Sequence, residues 1–272
     1  MTTLMRVEWL KMRKYNAFWW IMGVTALSYP GINYMVYFVY KEETSKSTQA
    51  GQLAKMALGD PFTFPEAWHT VAFLSSLFVF IPAVVVIMLI CNEYTFKTHR
   101  QNIIDGWSRN EFITSKLLDV LIISLLITLL YTIVALVTGI ANQDRLIKDT
   151  WGQAKYIGLF GLQTFSQLSI AFLLGYLIRR AFLALGVFLF YYIVLENLVI
   201  GFLEWKGSRA GNYFPLQISD GMIPKPAFWG KLDPAAYQRS IDAIPEHVVL
   251  TIILTSIIWG ICYWVNRKRD LK

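Results

Sequence analysis

Charged residues are scarce in this chain: Asp, Glu, Lys and Arg make up 16% of its 272 residues, whereas hydrophobic residues make up 56%. This balance excludes an ordinary soluble globular domain, in which about a quarter of the residues are charged. The formal net charge of +7 is therefore interpreted from where the cations lie along the chain, and not as evidence for a nucleic-acid partner. The composition predicts an integral membrane protein that contacts the lipid bilayer.

Cysteine and histidine are also few. The two cysteines, Cys91 and Cys262, lie in apolar runs, which excludes a disulfide scaffold and predicts two free thiols packed in helices. The three histidines, His69, His99 and His247, are far apart in the sequence and lack the spacing of metal ligands. We therefore predict no metal site.

The sequence lacks the G-x-x-x-x-G-K-[ST] loop that cradles nucleotide phosphates. We therefore expect that the chain does not hydrolyse ATP by itself and binds no cofactor of its own. Membrane-embedded hydrolysis is a weak alternative: the start of a nucleophile elbow is visible at Gly106-Trp107-Ser108, but its second Gly is missing. The sequence therefore predicts that the chain is not an enzyme by itself.

Long apolar runs are what the chain does have. About 20 apolar residues cross a bilayer core as a helix, and six runs satisfy this: residues 17–40, 68–91, 117–140, 156–178, 181–202 and 247–265. Only Arg179 and Arg180 separate the fourth and fifth runs, which predicts a tight reversal at a membrane face because guanidinium groups are costly inside it. We predict an all-α protein of six transmembrane helices in a single domain, residues 1–272.

Proline marks the irregular places. The first run contains Pro30 and the second contains Pro82, so both helices are expected to be kinked or broken there. The first run is too long for the apolar core of a cleaved signal and is expected to remain as an anchor. Residues 203–246 combine five prolines with bulky aromatic residues, which predicts short interfacial helices on the extracytoplasmic side.

The Lys and Arg residues predict the orientation. Fourteen of the 25 lie on the side that holds both termini, over roughly fifty loop residues, and 11 lie on the other side over roughly eighty-five. The denser side is cytoplasmic by the positive-inside rule. We therefore expect both termini in the cytoplasm and a multi-pass protein of a bacterial-type cytoplasmic (inner) membrane.

Residues 92–116, the coupling segment, form a polar stretch between the second and third crossings. Asp105-Gly106 predicts a helix stop, because Gly tolerates the left-handed conformation at a helix end. Ser108 and Glu111 have the spacing of a capping box, which predicts a new helix beginning at Arg109. Residues 95–104 are expected to form a short helix before the stop. The alternative is a solvated loop whose charges only obey the positive-inside rule.

This segment resembles the family of ABC-2-type transporter permeases. The resemblance rests on Glu93, the Thr95 to Thr98 turn, the Gly106-Trp107-Ser108-Arg109 stretch and Lys116, in about the order and spacing of the family pattern. The chain departs from that pattern in lacking a Gly after Glu93 and the Pro often seen before the Ser-Arg pair. Topology over the whole length is compatible with the family, whereas the motif covers only this segment.

The resemblance implies a permease subunit of type V exporter-like architecture that pairs with a second permease copy or homologue. ATP and Mg would be bound by a separate ATP-binding cassette subunit, docked on the coupling segment. The implied docking residues are Phe96, Arg100, Ile103, Ile104, Trp107 and Arg109. Residues 1–16 resemble the family's interfacial helix, with Met5, Trp9 and Met12 on one face and Arg6, Arg13 and Lys14 facing lipid phosphates.

A secondary transporter or channel subunit is the main alternative, since intramembrane polar groups would then carry ion coupling. The candidates are Glu196 and Asn197 in the fifth crossing and Gln163, Ser166 and Gln167 in the fourth. The two glutamines are four residues apart and share a helix face, so hydrogen bonding between helices explains them as well as a substrate path does. Asp119 is expected to lie within reach of water or of a neighbouring cation.

Overall fold

Helices form all the regular structure in the computed structural model, which describes residues 2–45, 59–104, 106–142, 149–230 and 233–268. We number them α1 (Thr2–Lys14), α2 (Asn16–Ser45), α3 (Ala67–Ser76), α4 (Phe80–Thr95), α5 (Thr98–Ile104), α6 (Arg109–Ala141), α7 (Lys155–Ile178), α8 (Ala181–Trp205), α9 (Pro215–Asp220), α10 (Ala227–Gly230), α11 (Pro234–Asp242) and α12 (Ile244–Lys268). Because these ranges contain no strand, the predicted all-helical fold is confirmed.

Four helices, α6, α7, α8 and α12, are long and apolar enough to cross a membrane. Helices α3 and α4 satisfy the same test together and are bent by 49° at a short break, so they make a fifth span if they cross as one. Helix α2 is 30 residues long but is not among these spans within the described ranges. A crossing by α2, and with it the count of six, stays a prediction.

Pro82 explains the break between α3 and α4. Its ring removes a backbone donor and clashes with the carbonyl four residues earlier, which belongs to Phe78. The chain around Phe78 is tightened into i→i+3 bonds, with Val79 N donating to Ser76 O at 3.2 Å and Ile81 N to Phe78 O at 3.0 Å. The predicted break is therefore found in the second crossing. In the predicted first crossing, α2 runs through Pro30 without interruption.

The predicted reversal between the fourth and fifth crossings is two residues long. Arg179 ends α7 in the left-handed conformation, with φ 59°, and the extended Arg180 precedes α8. Helix α8 contains a π-helical turn at Tyr191–Leu195, directly before Glu196. After α8, the 3₁₀ turn at Arg209–Tyr213 and the short helices α9, α10 and α11 agree with the short helices predicted for residues 203–246.

Helix α7 lies at the centre and packs against α4, α6 and α12. Its contact with α4 is close at Gly175, where an added Cβ would lie 2.7 Å from Ile90 Cγ2. Against α6, Phe160 stacks on Tyr131 with ring centroids 4.5 Å apart. Both cysteines are buried and free, as predicted. The coupling segment follows the carboxyl end of α4, whereas residues 59–66 and α10–α11 lie at the opposite end of the α3–α4 pair.

Candidate functional site

The coupling segment folds as two helices joined by a turn. Helix α4 ends at Thr95, and Lys97 turns the chain with a φ of 57° before α5. The first helix therefore begins at Thr98, three residues later than predicted, because the left-handed residue interrupts the helical hydrogen bonds. The predicted stop is present at Gly106, with φ 100°, and Trp107 N donates to Asn102 O at 3.0 Å. Asp105 lies outside the described residues.

The predicted capping box starts α6. The Ser108 hydroxyl accepts a hydrogen bond from the Glu111 backbone N–H at 3.2 Å, and the Glu111 carboxylate accepts one from the Ser108 N–H at 2.7 Å. Two amide groups that the first helical turn leaves without partners are thereby satisfied. Helix α6 begins at Arg109, as the spacing predicts, and continues without a break to Ala141.

Exposed apolar side chains mark the tip of the segment. Phe96 is 72% exposed and Ile104 is 77% exposed, whereas Ile103 and Trp107 are partly covered. The Trp107 ring receives the Lys11 ammonium at 5.9 Å. Since exposed residues such as Lys97 and Gln101 surround this tip, its apolar surface lies in a polar setting. Phe96 and Ile104 are therefore accessible to a second protein.

The two predicted docking arginines have different surroundings. Arg100 is partly buried on α5, and its buried Nε has no hydrogen-bond partner in the described structure. Arg109 instead contacts the end of α12: its guanidinium donates to Arg267 O at 3.0 Å, and Asn266 Nδ2 donates to Arg109 O at 2.5 Å. Arg109 therefore holds the start of α6 against the carboxyl-terminal helix.

Beneath the tip lies a buried ion cluster of five residues: Glu8, Lys11, Glu93, Lys116 and Asp119. The Lys116 ammonium donates to Glu8 Oε2 at 2.6 Å, to Glu93 Oε1 at 2.8 Å and to Asp119 Oδ2 at 3.3 Å. Lys11 donates to Glu8 at 3.2 Å and to Glu93 at 3.0 Å from a more open position. The expectation that Asp119 meets a neighbouring cation is confirmed.

The cluster contains three carboxyl groups and two ammonium groups, so its members depend on one another. The Lys116 and Glu8 side chains are 5% and 3% exposed, against 31% for Lys11. Burial raises the pKa of Glu8, but the ammonium groups of Lys116 and Lys11 outweigh it and hold that pKa below its usual value. The carboxylate of Glu8 is therefore stabilised in its charged form by the two lysines.

The ion cluster joins three helices. Glu8 and Lys11 come from α1, Glu93 from the end of α4, and Lys116 with Asp119 from the start of α6. Helix α5 is attached as well, because the Thr98 hydroxyl donates to the Glu93 carboxylate and the His99 ring nitrogen Nδ1 lies 3.0 Å from Glu93 O. Glu93 is therefore bonded both to α5 and, through Lys11, to the amino-terminal helix.

Helix α1 differs from its predicted arrangement. Trp9 is exposed and Met12 is fully buried, so the two do not share one face, and the side chain of Met5 lies outside the described part of the chain. The buried face carries Glu8 and Met12, four residues apart, because the ion cluster draws Glu8 inward. The predicted lipid-facing cations Arg6, Arg13 and Lys14 are exposed.

A second polar site, the amide–carboxyl site, lies between α7 and α9. The amides of Gln163 and Gln167 each donate to Asp220 Oδ1 at 2.7 Å, and Gln167 also donates to the Ser219 hydroxyl at 3.1 Å. The hydroxyl of Tyr192 in α8 donates to Gln167 Oε1 at 3.3 Å. The two glutamines therefore share a face, as predicted, and link α7 to the short helix α9 through hydrogen bonds.

Glu196 and Asn197 make separate contacts. Glu196 is buried, and its Oε1 accepts from the Gln217 backbone N–H at 2.8 Å, which satisfies an amide in the first turn of α9. Asn197 is exposed, and its amide donates to the carbonyls of Tyr192 and Ile193 at 3.2 and 3.0 Å, where the π-helical turn alters the helical bonding. The structure therefore does not bring Asn197 into contact with the amide–carboxyl site.

Residues 35–272 match the model of a protein family described as "Protein of unknown function (DUF2705)". The chain belongs to this family. No curated protein and no solved structure matches the chain. The matched region of this DUF2705 chain includes the coupling segment with Glu93, Lys116 and Asp119, and begins inside α2. Glu8 and Lys11, which complete the ion cluster, lie before it.

Sequence reasoning missed the ion cluster and Asp220. Glu93 and Lys116 were noted only as elements of a motif, although both are charged residues beside apolar runs and therefore need partners. Glu8 carries a signal that could have been used, since it is the only acidic residue among the first 41. Asp220 gives no local signal, because it ends a short helix 53 residues beyond Gln167.

Proposed function

We propose that this DUF2705 protein is the membrane-spanning permease subunit of an ATP-binding cassette transporter. It moves its substrate by conformational change and catalyses no reaction of its own. ATP and Mg are bound by a separate ATPase subunit, and the permease acts with a second copy or homologue, most simply as an exporter. Both termini and the coupling segment face the cytoplasm. The absence of a phosphate-binding loop from the sequence agrees with an ATPase on another chain.

The observation that carries the proposal is that the coupling segment exposes apolar side chains and is attached to buried charges. Phe96 lies just before the seven-residue helix α5 and Ile104 at its end, and both are exposed. The buried ion cluster holds the start of the segment at Glu93, and the capping box begins α6 after it. A loop that only obeyed the positive-inside rule would need neither an exposed apolar tip nor attachment to buried charges. Such a rigid apolar projection suits a second protein that applies force to it.

The contacts suggest how the force travels. Closure of the ATPase subunits pushes α5, and the bonds of Thr98 and His99 carry the displacement to Glu93 at the end of α4. Lys116 carries it to α6 and, through Glu8, to α1. Since α4 and α6 both pack against the central α7, movement at the cluster repacks the bundle between two states.

The proposal is tested by co-purification. The tagged full-length chain is purified in detergent from its native membranes, and ATPase activity and Walker-motif subunits are measured in the eluate. Phe96→Asp combined with Ile104→Asp should remove most of the bound ATPase while the chain stays in the membrane. Asn110→Asp is the matched control, because it adds a negative charge to the same segment at an exposed position. Unchanged ATPase recovery with the double variant would refute the docking role.

Asp220 favours a second candidate function, a proton-coupled transporter. Its carboxyl is buried between two glutamine amides, and burial raises its pKa to about 6, which lies near physiological pH. Glu196 lies close enough to raise that pKa further, but its bond to Gln217 gives it a structural task. Asp220→Asn should leave ATP-dependent transport partly intact; complete loss of transport by an assembled protein would favour proton coupling.

A further inference from the structure

A cavity of about 360 Å³ opens at the end of the α3–α4 pair that lies away from the coupling segment. It is bounded by residues 59–70, by Gln153 before α7, and by α10 and α11. Its lining residues are Gly59, Asp60, Pro61, Thr63, Glu66, His69, Thr70, Gln153, Pro226, Ala227, Phe228 and Tyr237. Its volume falls within the range of roughly 300–1,000 Å³ that small-molecule sites occupy.

The charge of the lining has one sign. Asp60 and Glu66 contribute two carboxyl groups, and the described residues of the lining include neither Lys nor Arg. Asp60 accepts a hydrogen bond from the Tyr40 hydroxyl at 3.3 Å, and Glu66 has no ion-pair or hydrogen-bond partner for its carboxylate in the described ranges. The neighbouring Lys155 is directed to the Tyr156 ring, at 5.5 Å from its centroid.

Two buried polar residues add to the lining. Thr70 lines the cavity and is 1% exposed. His69 is held in place: its Nε2 lies 2.7 Å from Pro224 O, and its ring stacks on Tyr156 with centroids 4.1 Å apart. Thr70 and His69 therefore give the cavity a polar wall beside the two carboxyl groups.

Aromatic side chains form the remaining wall. Phe228 in α10 and Tyr237 in α11 line the cavity, and the Glu66 carboxylate is near enough to Tyr237 to raise the pKa of its phenol, although burial contributes more. Tyr237 packs directly on Gly230, where an added Cβ would lie 2.1 Å from its ring. Carboxylates beside aromatic faces are the groups that bind organic cations.

We infer that this cavity is a binding site for a small organic cation, whose ammonium group pairs with Glu66 and Asp60 while its apolar part packs on Phe228 and Tyr237. The Thr70 hydroxyl accepts a further hydrogen bond from the ammonium group. The site is independent of the ATPase partner, since every group in it belongs to this chain. Its position opposite the coupling segment gives it access from the other face of the membrane.

Binding is tested on the purified full-length chain in nanodiscs, without any ATPase, by calorimetric titration with 2-phenylethylamine. The neutral 2-phenylethanol has a similar shape and should bind about tenfold more weakly, because hydrogen bonds to charged groups contribute more than neutral ones. Glu66→Gln should weaken the amine by a similar factor and leave the alcohol unchanged. Gly230→Ala, which displaces Tyr237, should weaken both.

Asp242→Asn is the matched control, since Asp242 is an exposed carboxylate of α11 outside the lining. Size-exclusion profiles confirm that each variant is folded. Equal affinity for amine and alcohol, no measurable binding of the amine, or equal weakening by Asp242→Asn and Glu66→Gln would each overturn the inference. Because no ATPase takes part, these outcomes are separate from those of the co-purification experiment.

Discussion

Lys116→Met tests the ion cluster most directly. Lys116 has three carboxylate oxygens within 3.3 Å of its ammonium, and its side chain is 5% exposed. The substitution leaves Glu8, Glu93 and Asp119 with Lys11 as the one cation of the cluster. Removing one partner of a buried ion pair costs about 3–5 kcal/mol, because the remaining charges stay buried without compensation. We therefore expect a loss of stability of that order.

The control is Lys11→Met, which changes the same residue type in the same cluster. Lys11 contacts two of the same carboxylates but is 31% exposed, so water replaces much of its interaction. Its removal should cost about 1 kcal/mol or less, as exposed pairs do. The comparison separates the effect of burial from that of charge.

The assay is the thermal stability of each purified variant in the same detergent, followed by the loss of monodisperse protein on size-exclusion chromatography. About 1 kcal/mol shifts the midpoint by roughly 2–4 °C in a protein of this size, so Lys116→Met should lower it by roughly 6–20 °C. Combining Lys116→Met with Glu8→Gln should recover part of the loss, since one unpaired carboxylate is removed. Equal shifts for Lys116→Met and Lys11→Met would refute the reasoning.

Three further predictions concern pH, capping and packing. Burial raises the pKa of Asp220 to about 6 from 3.8 in the unfolded chain. Protonation of Asp220 therefore contributes about 3 kcal/mol of stability, which is present below about pH 4 and is lost as the pH rises through 6. Asp220→Asn should abolish this pH dependence in thermal melts between pH 4 and 8. Ser108→Ala removes the cap of α6 and should cost about 1 kcal/mol, measured against the wild type by the same melts, and an unchanged midpoint would contradict the capping role. Gly175→Ala places a Cβ 2.7 Å from Ile90 Cγ2 and should cost about 1–3 kcal/mol through overpacking, whereas Gly158→Ala, with no atom within 4 Å of its added Cβ, should be neutral or stabilising.

Local features of the coupling segment could be predicted because they depend on neighbouring residues alone. The capping box joins residues three apart, and the stop at Gly106 needs only the freedom of glycine at positive φ. The start of α5 was placed three residues too early, since nothing in the sequence requires Lys97 to adopt a left-handed conformation. Propensity does not distinguish a helix that continues from one that is interrupted once.

The surroundings of Arg109 and Glu196 show why site residues were harder to place. Arg109 is predicted to dock the ATPase because it is a cation in the coupling segment. Glu196 is predicted to couple ions because it is a carboxyl group within an apolar run. Arg109 contacts Arg267 O, which is 158 residues away, and Glu196 contacts Gln217 N across a turn of the chain. Hydrogen-bond partners at such distances are set by helix packing, so the sequence offers the charge but not its partner.

The sequence by itself determined the helical class, the approximate extent of the apolar helices, and the positions in the coupling segment where one helix ends and the next begins. Each follows from composition, from the length of an apolar run or from contacts within one helical turn. Only the tertiary structure decided that Lys116 gathers Glu8, Glu93 and Asp119, that Gln163 and Gln167 meet Asp220, and that Glu66 faces a cavity beside Tyr237. The physical reason is that a buried charge must find partners wherever packing brings them, and packing joins residues that are far apart in the chain.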